Sequence, residues 1–115
     1  MAPTMVFDRA GALQLVVGSP GGSNIINSVA KTLVGVLDWK LNIQAAIGLP
    51  NFGSRNGPTQ IEAGSTYEAL IPELERRGHD VQRSRLGSGL HGIERVPGGW
   101  RAGADPRGEG IARGD

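Results

Sequence analysis

The stretch Gly18-Ser19-Pro20-Gly21-Gly22-Ser23 constrains this chain more than any other. Before it, Leu13-Gln14-Leu15-Val16-Val17 is apolar at nearly every position, the pattern of a strand covered on both faces. After it, Ile25, Ile26, Val29, Ala30, Leu33, Val36 and Leu37 recur three or four apart. That spacing predicts an amphipathic helix from Ser23 or Asn24 to Asp38-Trp39-Lys40. The backbone must turn sharply between the two, and glycine enters positive φ without a Cβ penalty.

With Ser23 as the helix N-cap, main-chain N–H groups and the positive end of the helix dipole converge where few side chains intervene. Such a place suits an anion, either a phosphate or the negative oxygen of an acyl-transfer intermediate. The loop has neither a Gly-Lys-Ser/Thr ending nor G-x-G-x-x-G spacing, so it carries no nucleotide signature. A plain strand-to-helix turn is the alternative reading.

Thr4-Met5-Val6-Phe7 and the Leu13–Val17 run read as a β-hairpin around Asp8-Arg9-Ala10-Gly11. Asn42 can cap a short helix through Ile43-Gln44-Ala45-Ala46-Ile47, stopped by Gly48 and Pro50. Residues 51–58 read as a loop and Gln60-Ile61-Glu62-Ala63 as a short strand. Ser65-Thr66-Tyr67-Glu68 matches a capping box ahead of a helix ending at Gly78, in which Pro72 marks a kink or the true start. Val81 to Arg85 is a strand candidate. His91–Val96 and Trp100–Ala104 read as a second hairpin around Pro97-Gly98-Gly99, before an irregular tail from Asp105 to Asp115. This order predicts an α+β fold with helices layered on sheet, rather than regular βαβ alternation.

The 115 residues suit one domain, 1–115, with a small aliphatic core, since only 4% are aromatic and 19 are glycine. Nine of those glycines lie between Gly87 and Asp115, which predicts an end that is poorly packed or needs a partner. A net charge of +1 gives no footprint for nucleic acid. The absence of cysteine excludes thiolate chemistry and disulfides. No apolar run approaches the roughly 20 residues of a membrane span.

The other chemistry-bearing residues read as structural. His79 follows a helix stop, and His91 has no second histidine at ligand spacing, so neither a metal nor a cofactor is expected. Glu73 and Glu75 with Arg76 and Arg77 read as a solvated helix face. Asp105 and Arg107 are close enough to pair and fix a turn. Ser19, Ser23 and Ser88 lie in no G-x-S-x-G elbow.

Several blocks, in the same order along the chain, resemble the carboxy-terminal part of the small subunit of gamma-glutamyltranspeptidases, or glutathione hydrolases. They are Met1-Ala2-Pro3-Thr4-Met5-Val6-Phe7, Gly18 to Ile26, Leu49-Pro50-Asn51-Phe52, Arg77-Gly78-His79 and Ala104-Asp105-Pro106-Arg107. The resemblance implies an N-terminal-nucleophile hydrolase sandwich of stacked antiparallel β-sheets covered by helices. It implies a γ-glutamyltransferase in which an N-terminal threonine attacks the γ-glutamyl amide of glutathione or another γ-glutamyl compound. The acyl group then passes to water or to an amino-acid or dipeptide acceptor.

In that resemblance Gly21 and Gly22 are the oxyanion-hole glycines, and Ser19 and Ser23 are candidate substrate contacts. Thr4 is not the nucleophile, because it belongs to the Met-x-Pro-Thr segment. The nucleophile would come from an N-terminal part of the small subunit, and a substrate-carboxylate arginine from the large subunit. The chain alone is therefore expected to be inactive, and unpaired sheet edges are expected to self-associate. A periplasmic or extracellular location is what the resemblance suggests for a full-length protein. The competing reading is a non-catalytic α+β binding or structural module that uses the loop as a turn or anion site.

Overall fold

A computed structural model describes residues 2–114; Met1, the first residue of the Met-Ala-Pro-Thr block, and Asp115, the last of the tail, lie outside the described residues. The chain forms two compact units. One is built from the segments ending at Leu49 and beginning at Ser88, and the other is Pro50–Gly87.

In the first unit, β1 (Thr4–Phe7) and β2 (Leu13–Gly18) form the expected hairpin, continued by β6 (His91–Val96) and β7 (Gly99–Ala104) into an antiparallel sheet of order β1-β2-β6-β7. Asp8 fixes the first turn by accepting from the N–H groups of Ala10 and Ala12, each at 2.9 Å. The second turn is tighter than expected. Val96 pairs with Gly99, leaving Pro97 and Gly98 (φ 81°) as a two-residue connection of the Pro-Gly kind.

Helices α1 (Ile25–Leu37) and α2 (Ile43–Gly48) cover one sheet face, and Leu15, Val17, Ile25, Val29, Ile43, Ile47 and Leu90 make the core. Asn42 caps α2 as expected, accepting from the Ala45 N–H at 2.9 Å. Within β6 and β7 the glycine-rich end is packed, contrary to expectation, whereas most of the tail after Asp105 is exposed. A Cβ at Gly92 would meet Ile43 Cδ1 at 2.6 Å, and one at Gly103 would meet the Gln44 main chain at 3.1 Å. These glycines let α2 lie close on β6 and β7, a long-range requirement that local composition does not display.

The opposite face is covered only in part, by the tail, whose Ile111, Ala112 and Arg113 line a shallow pocket with Val16, Ile93 and Ala102. Met5, Val16, Ile93 and Ala102 stand in register across all four strands, with Met5 and Ile93 exposed. The polarity of α1 also differs from the simple period. Ser28, Lys31 and Thr32 are buried, while Ile26, Val34 and Leu37 are exposed.

In the second unit, β3 (Phe52–Gly53), β4 (Thr59–Glu62) and β5 (Val81–Ser84) form a sheet with Ile61, Ile71 and Leu86 buried. Strands β4 and β5 pair in parallel across a 3-10 segment, Thr66–Leu70, and α3 (Ile71–Arg76), so one βαβ crossover does occur. Pro72 lies in the first turn of α3, marking its true start. The expected capping box is not made: Ser65 makes no side-chain cap and gives its own N–H to the Glu62 carbonyl, and the Glu68 carboxylate takes the N–H of Gly64, one residue before the cap, at 2.7 Å.

Candidate functional site: the glycine loop

The loop leaves the sheet at Gly18, which pairs with His91 of β6. Ser19 is next, 1% exposed. Its hydroxyl donates to the Pro20 carbonyl at 2.6 Å and accepts the Gly89 N–H at 3.3 Å. The chain then surfaces, with Gly21 at φ 129°, ψ 22° and Gly22 at φ 62°. A Cβ on either glycine would meet nothing within 4 Å, so glycine is required here by backbone conformation rather than by crowding.

A 3-10 turn, Gly22–Asn24, connects the loop to α1, and the Ile25 N–H donates to the Gly22 carbonyl. This corrects the expected start of the helix. Ser23 is exposed and lies inside the turn, whereas a capping side chain needs its residue outside helical dihedrals. The residue at the α1 cap position is Asn24, which makes no side-chain cap bond. Among the described residues, no turn, cap or side-chain hydrogen bond is donated by the Gly21 or Gly22 N–H. First-turn N–H groups of this kind are available to an acceptor from outside.

Behind the loop lies Asp105, 1% exposed. Its Oδ2 accepts from the Ser88 hydroxyl at 2.5 Å and the Leu90 N–H at 3.1 Å, and its Oδ1 from the Arg107 N–H at 3.0 Å and guanidinium at 3.1 Å. Burial pushes this carboxyl up, but the bonds from Ser88, the Arg107 and Leu90 N–H groups and the Arg107 side chain outweigh it. The group titrates below the usual aspartate range. Arg107 also donates to the Ile47 and Leu49 carbonyls, at 3.3 and 2.9 Å, and Lys31 Nζ donates to the same two oxygens. Two cations thus meet the negative end of α2. The expected structural pairing of Asp105 with Arg107 is present.

The other candidates have local partners of their own. Thr4 Oγ1, at the start of β1, donates to the Ala2 carbonyl at 3.2 Å. His91 Nδ1 lies 3.1 Å from the Gly89 carbonyl oxygen, and His79 Nδ1 lies 3.4 Å from Thr59 Oγ1. Glu73 is bound by Arg76 and Arg77 on an exposed face, at 2.6 and 2.7 Å, as a solvated ion-pair cluster. Among the described residues no group of three His, Cys, Asp or Glu could hold a metal ion, and no helix is long and apolar enough to cross a membrane.

The sequence did not flag Gly89 or Ser88 as partners of the loop. The nearest signal is Ala104-Asp105-Pro106-Arg107, where a strand end carries a carboxylate and a guanidinium two residues apart.

Comparison with solved structures defines the class: this is the fold of N-terminal-nucleophile hydrolases. A mutant of the Helicobacter pylori gamma-glutamyltranspeptidase superposes with a TM-score of 0.86 at 29% identity, over 94% of this chain and 61% of that one. The particular family follows from the sequence: the family model described as Gamma-glutamyltranspeptidase matches residues 1–114, and the chain belongs to that family. The glutathione hydrolase proenzyme of Escherichia coli is 36% identical over 110 residues, covering 93% of this chain and 19% of that protein. The acylase ACY 1 proenzyme of a Pseudomonas species is 31% identical over 114 residues, covering 92% of this chain and 20% of that protein. The chain thus spans about a fifth of the length of the curated relatives it matches.

Proposed function

We propose that this chain supplies the oxyanion-stabilising loop of a γ-glutamyl-transferring enzyme acting on glutathione and other γ-glutamyl compounds. The observation that carries the reading is the pair Gly21 and Gly22, held at positive φ where β2 gives way to the 3-10 turn, with N–H groups not committed to the chain's own turns or caps. Attack of a threonine hydroxyl on the γ-glutamyl amide places a negative charge on the former carbonyl oxygen. Two main-chain donors facing that oxygen stabilise it in the transition state, an effect of roughly 3 kcal/mol per donor. The intermediate then expels the amine, and the γ-glutamyl-enzyme passes its acyl group to water or to an amino-acid or dipeptide acceptor.

On this reading the chain is the C-terminal portion of the small subunit. Its partners are the N-terminal part of that subunit, which carries the threonine, and the large subunit. Ser23, exposed beside the glycines, is the serine of the loop placed to meet substrate, whereas Ser19 has its hydroxyl committed to Pro20 and Gly89. The family likeness supports a periplasmic or extracellular setting for the complete enzyme.

A chimera tests the proposal: the homologous C-terminal segment of the Escherichia coli glutathione hydrolase replaced by this chain. It is expected to mature and to release the chromophore from a γ-glutamyl anilide. A chimera that matures, folds and fails to turn over the anilide would oppose the reading, and favour a binding or structural module instead.

A further inference from the structure

Among the described residues the glycine loop has no hydrogen-bonded strand neighbour once it passes Gly18, yet Ser19 is buried, so something other than the sheet must hold it. The contacts on its inner side come from the segment that enters β6. The Gly89 N–H donates to Ser19 Oγ, and a Cβ at Gly89 would lie 2.8 Å from Pro20 Cγ, so residue 89 packs directly beneath the loop. The residues flanking Gly89 are both tied to one carboxylate oxygen, since Ser88 Oγ and the Leu90 N–H donate to Asp105 Oδ2.

We propose that Asp105 is a positioning residue for the loop. It clamps Ser88 and Leu90, and through Gly89 it fixes Ser19 and Pro20, so that Gly21 and Gly22 keep one orientation. The clamp concerns the same site as the proposed oxyanion role and gives it a rigid support. Preorganised donors stabilise developing charge without reorganising as the reaction proceeds, so such a brace has a catalytic consequence. Ser88→Ala removes one arm of the clamp, and Ser19→Ala removes the acceptor that links Gly89 to the loop.

The test uses the 15N-labelled 115-residue chain and reads backbone order parameters and solvent exchange at the Gly21 and Gly22 amides. In the parent chain their order parameters are expected near the rigid value of about 0.85, and in Ser88→Ala and Ser19→Ala they fall toward about 0.6, with sheet amides such as Val17 unchanged. Ser88→Thr, which restores the hydroxyl, recovers the parent values. Val29→Ala, a core change, lowers the melting temperature without selective loosening of the loop. Unchanged loop amides in both serine variants would overturn the clamp, as would equal loosening in Val29→Ala. The readout needs no substrate. A loop that loosens as expected, in a chimera indifferent to Gly21 and Gly22, would keep the clamp and remove the oxyanion role.

Discussion

Asp105 and Leu90 hold each other by two hydrogen bonds: the Asp105 N–H donates to the Leu90 carbonyl at 2.8 Å, and the Leu90 N–H donates to Asp105 Oδ2 at 3.1 Å. One pair thus closes the β6–β7 ladder next to His91 and Ala104 and buries an ionised carboxylate at the same point.

The carboxylate makes stability sensitive to acid. Asp105 titrates below its ordinary value in the folded chain. Its contribution is therefore fully present above the unfolded aspartate value of about 3.9 and is lost as pH falls through the lower folded value. Urea midpoints measured from pH 7 down to pH 2 are expected to show this loss in the parent chain and a shallower acid limb in Asp105→Asn. Identical acid limbs would contradict the assignment. Asp105→Ala, which leaves Arg107 facing an emptied position, is expected to cost roughly 3 kcal/mol.

Close packing of α2 on the sheet makes a second, sterically defined expectation. Gly92→Ala places a methyl 2.6 Å from Ile43 Cδ1 and 2.8 Å from its Cγ1, both side-chain atoms, whereas Gly103→Ala meets main-chain atoms of Gln44 at 3.1 Å. Overpacking of this kind costs about 1–3 kcal/mol. Gly92→Ala is expected inside that range, because Ile43 can change rotamer. Gly103→Ala is expected at or beyond its upper end, because the helix itself must move. Thermal melts of the two variants check the order.

The apolar row Met5, Val16, Ile93 and Ala102, of which Met5 and Ile93 are exposed, together with the outer edges of β1 and β7, predicts self-association of the isolated chain. Light scattering should show a mass that rises with concentration, and Ile93→Lys should bring it toward the monomer. A monomeric mass across the whole range would refute this.

The isolated chain is also expected to give no γ-glutamyl anilide turnover above the blank. Its Thr4 hydroxyl, at the start of β1, is bonded to the Ala2 carbonyl, and a hydrolase without its nucleophile retains only binding and charge stabilisation. Turnover well above the blank would place a nucleophile within these residues.

The elements were legible wherever a local period or a turn residue sets them. The Leu13–Val17 run, the Asn42 cap and the Pro-Gly turn all read correctly, because each depends on neighbours in sequence. The 3-10 turn at Gly22–Asn24 was not legible, since Ser23 has the chemistry of an N-cap and only the dihedrals at Gly21 and Gly22 displace it. Nor was the burial of Ser28, Lys31 and Thr32 on α1, where Thr32 satisfies its hydroxyl on the Ser28 carbonyl and Lys31 reaches the end of α2. Of the site, the loop was visible and its support was not. The Ser19–Gly89 bond joins residues 70 apart in sequence, and no local pattern encodes it.

The central claim is that Gly21 and Gly22 stabilise the oxyanion, and steady-state kinetics of the chimera carrying Gly22→Ala test it most directly. Alanine disfavours φ 62° by about 1–2 kcal/mol, so the exposed loop relaxes toward negative φ and turns the amide from its place while the rest of the chimera stays folded. The account predicts a fall in kcat of about 10²–10³-fold with KM changed only a few-fold, the signature of a lost transition-state donor. A folded, matured Gly22→Ala chimera that keeps the parent kcat would contradict it.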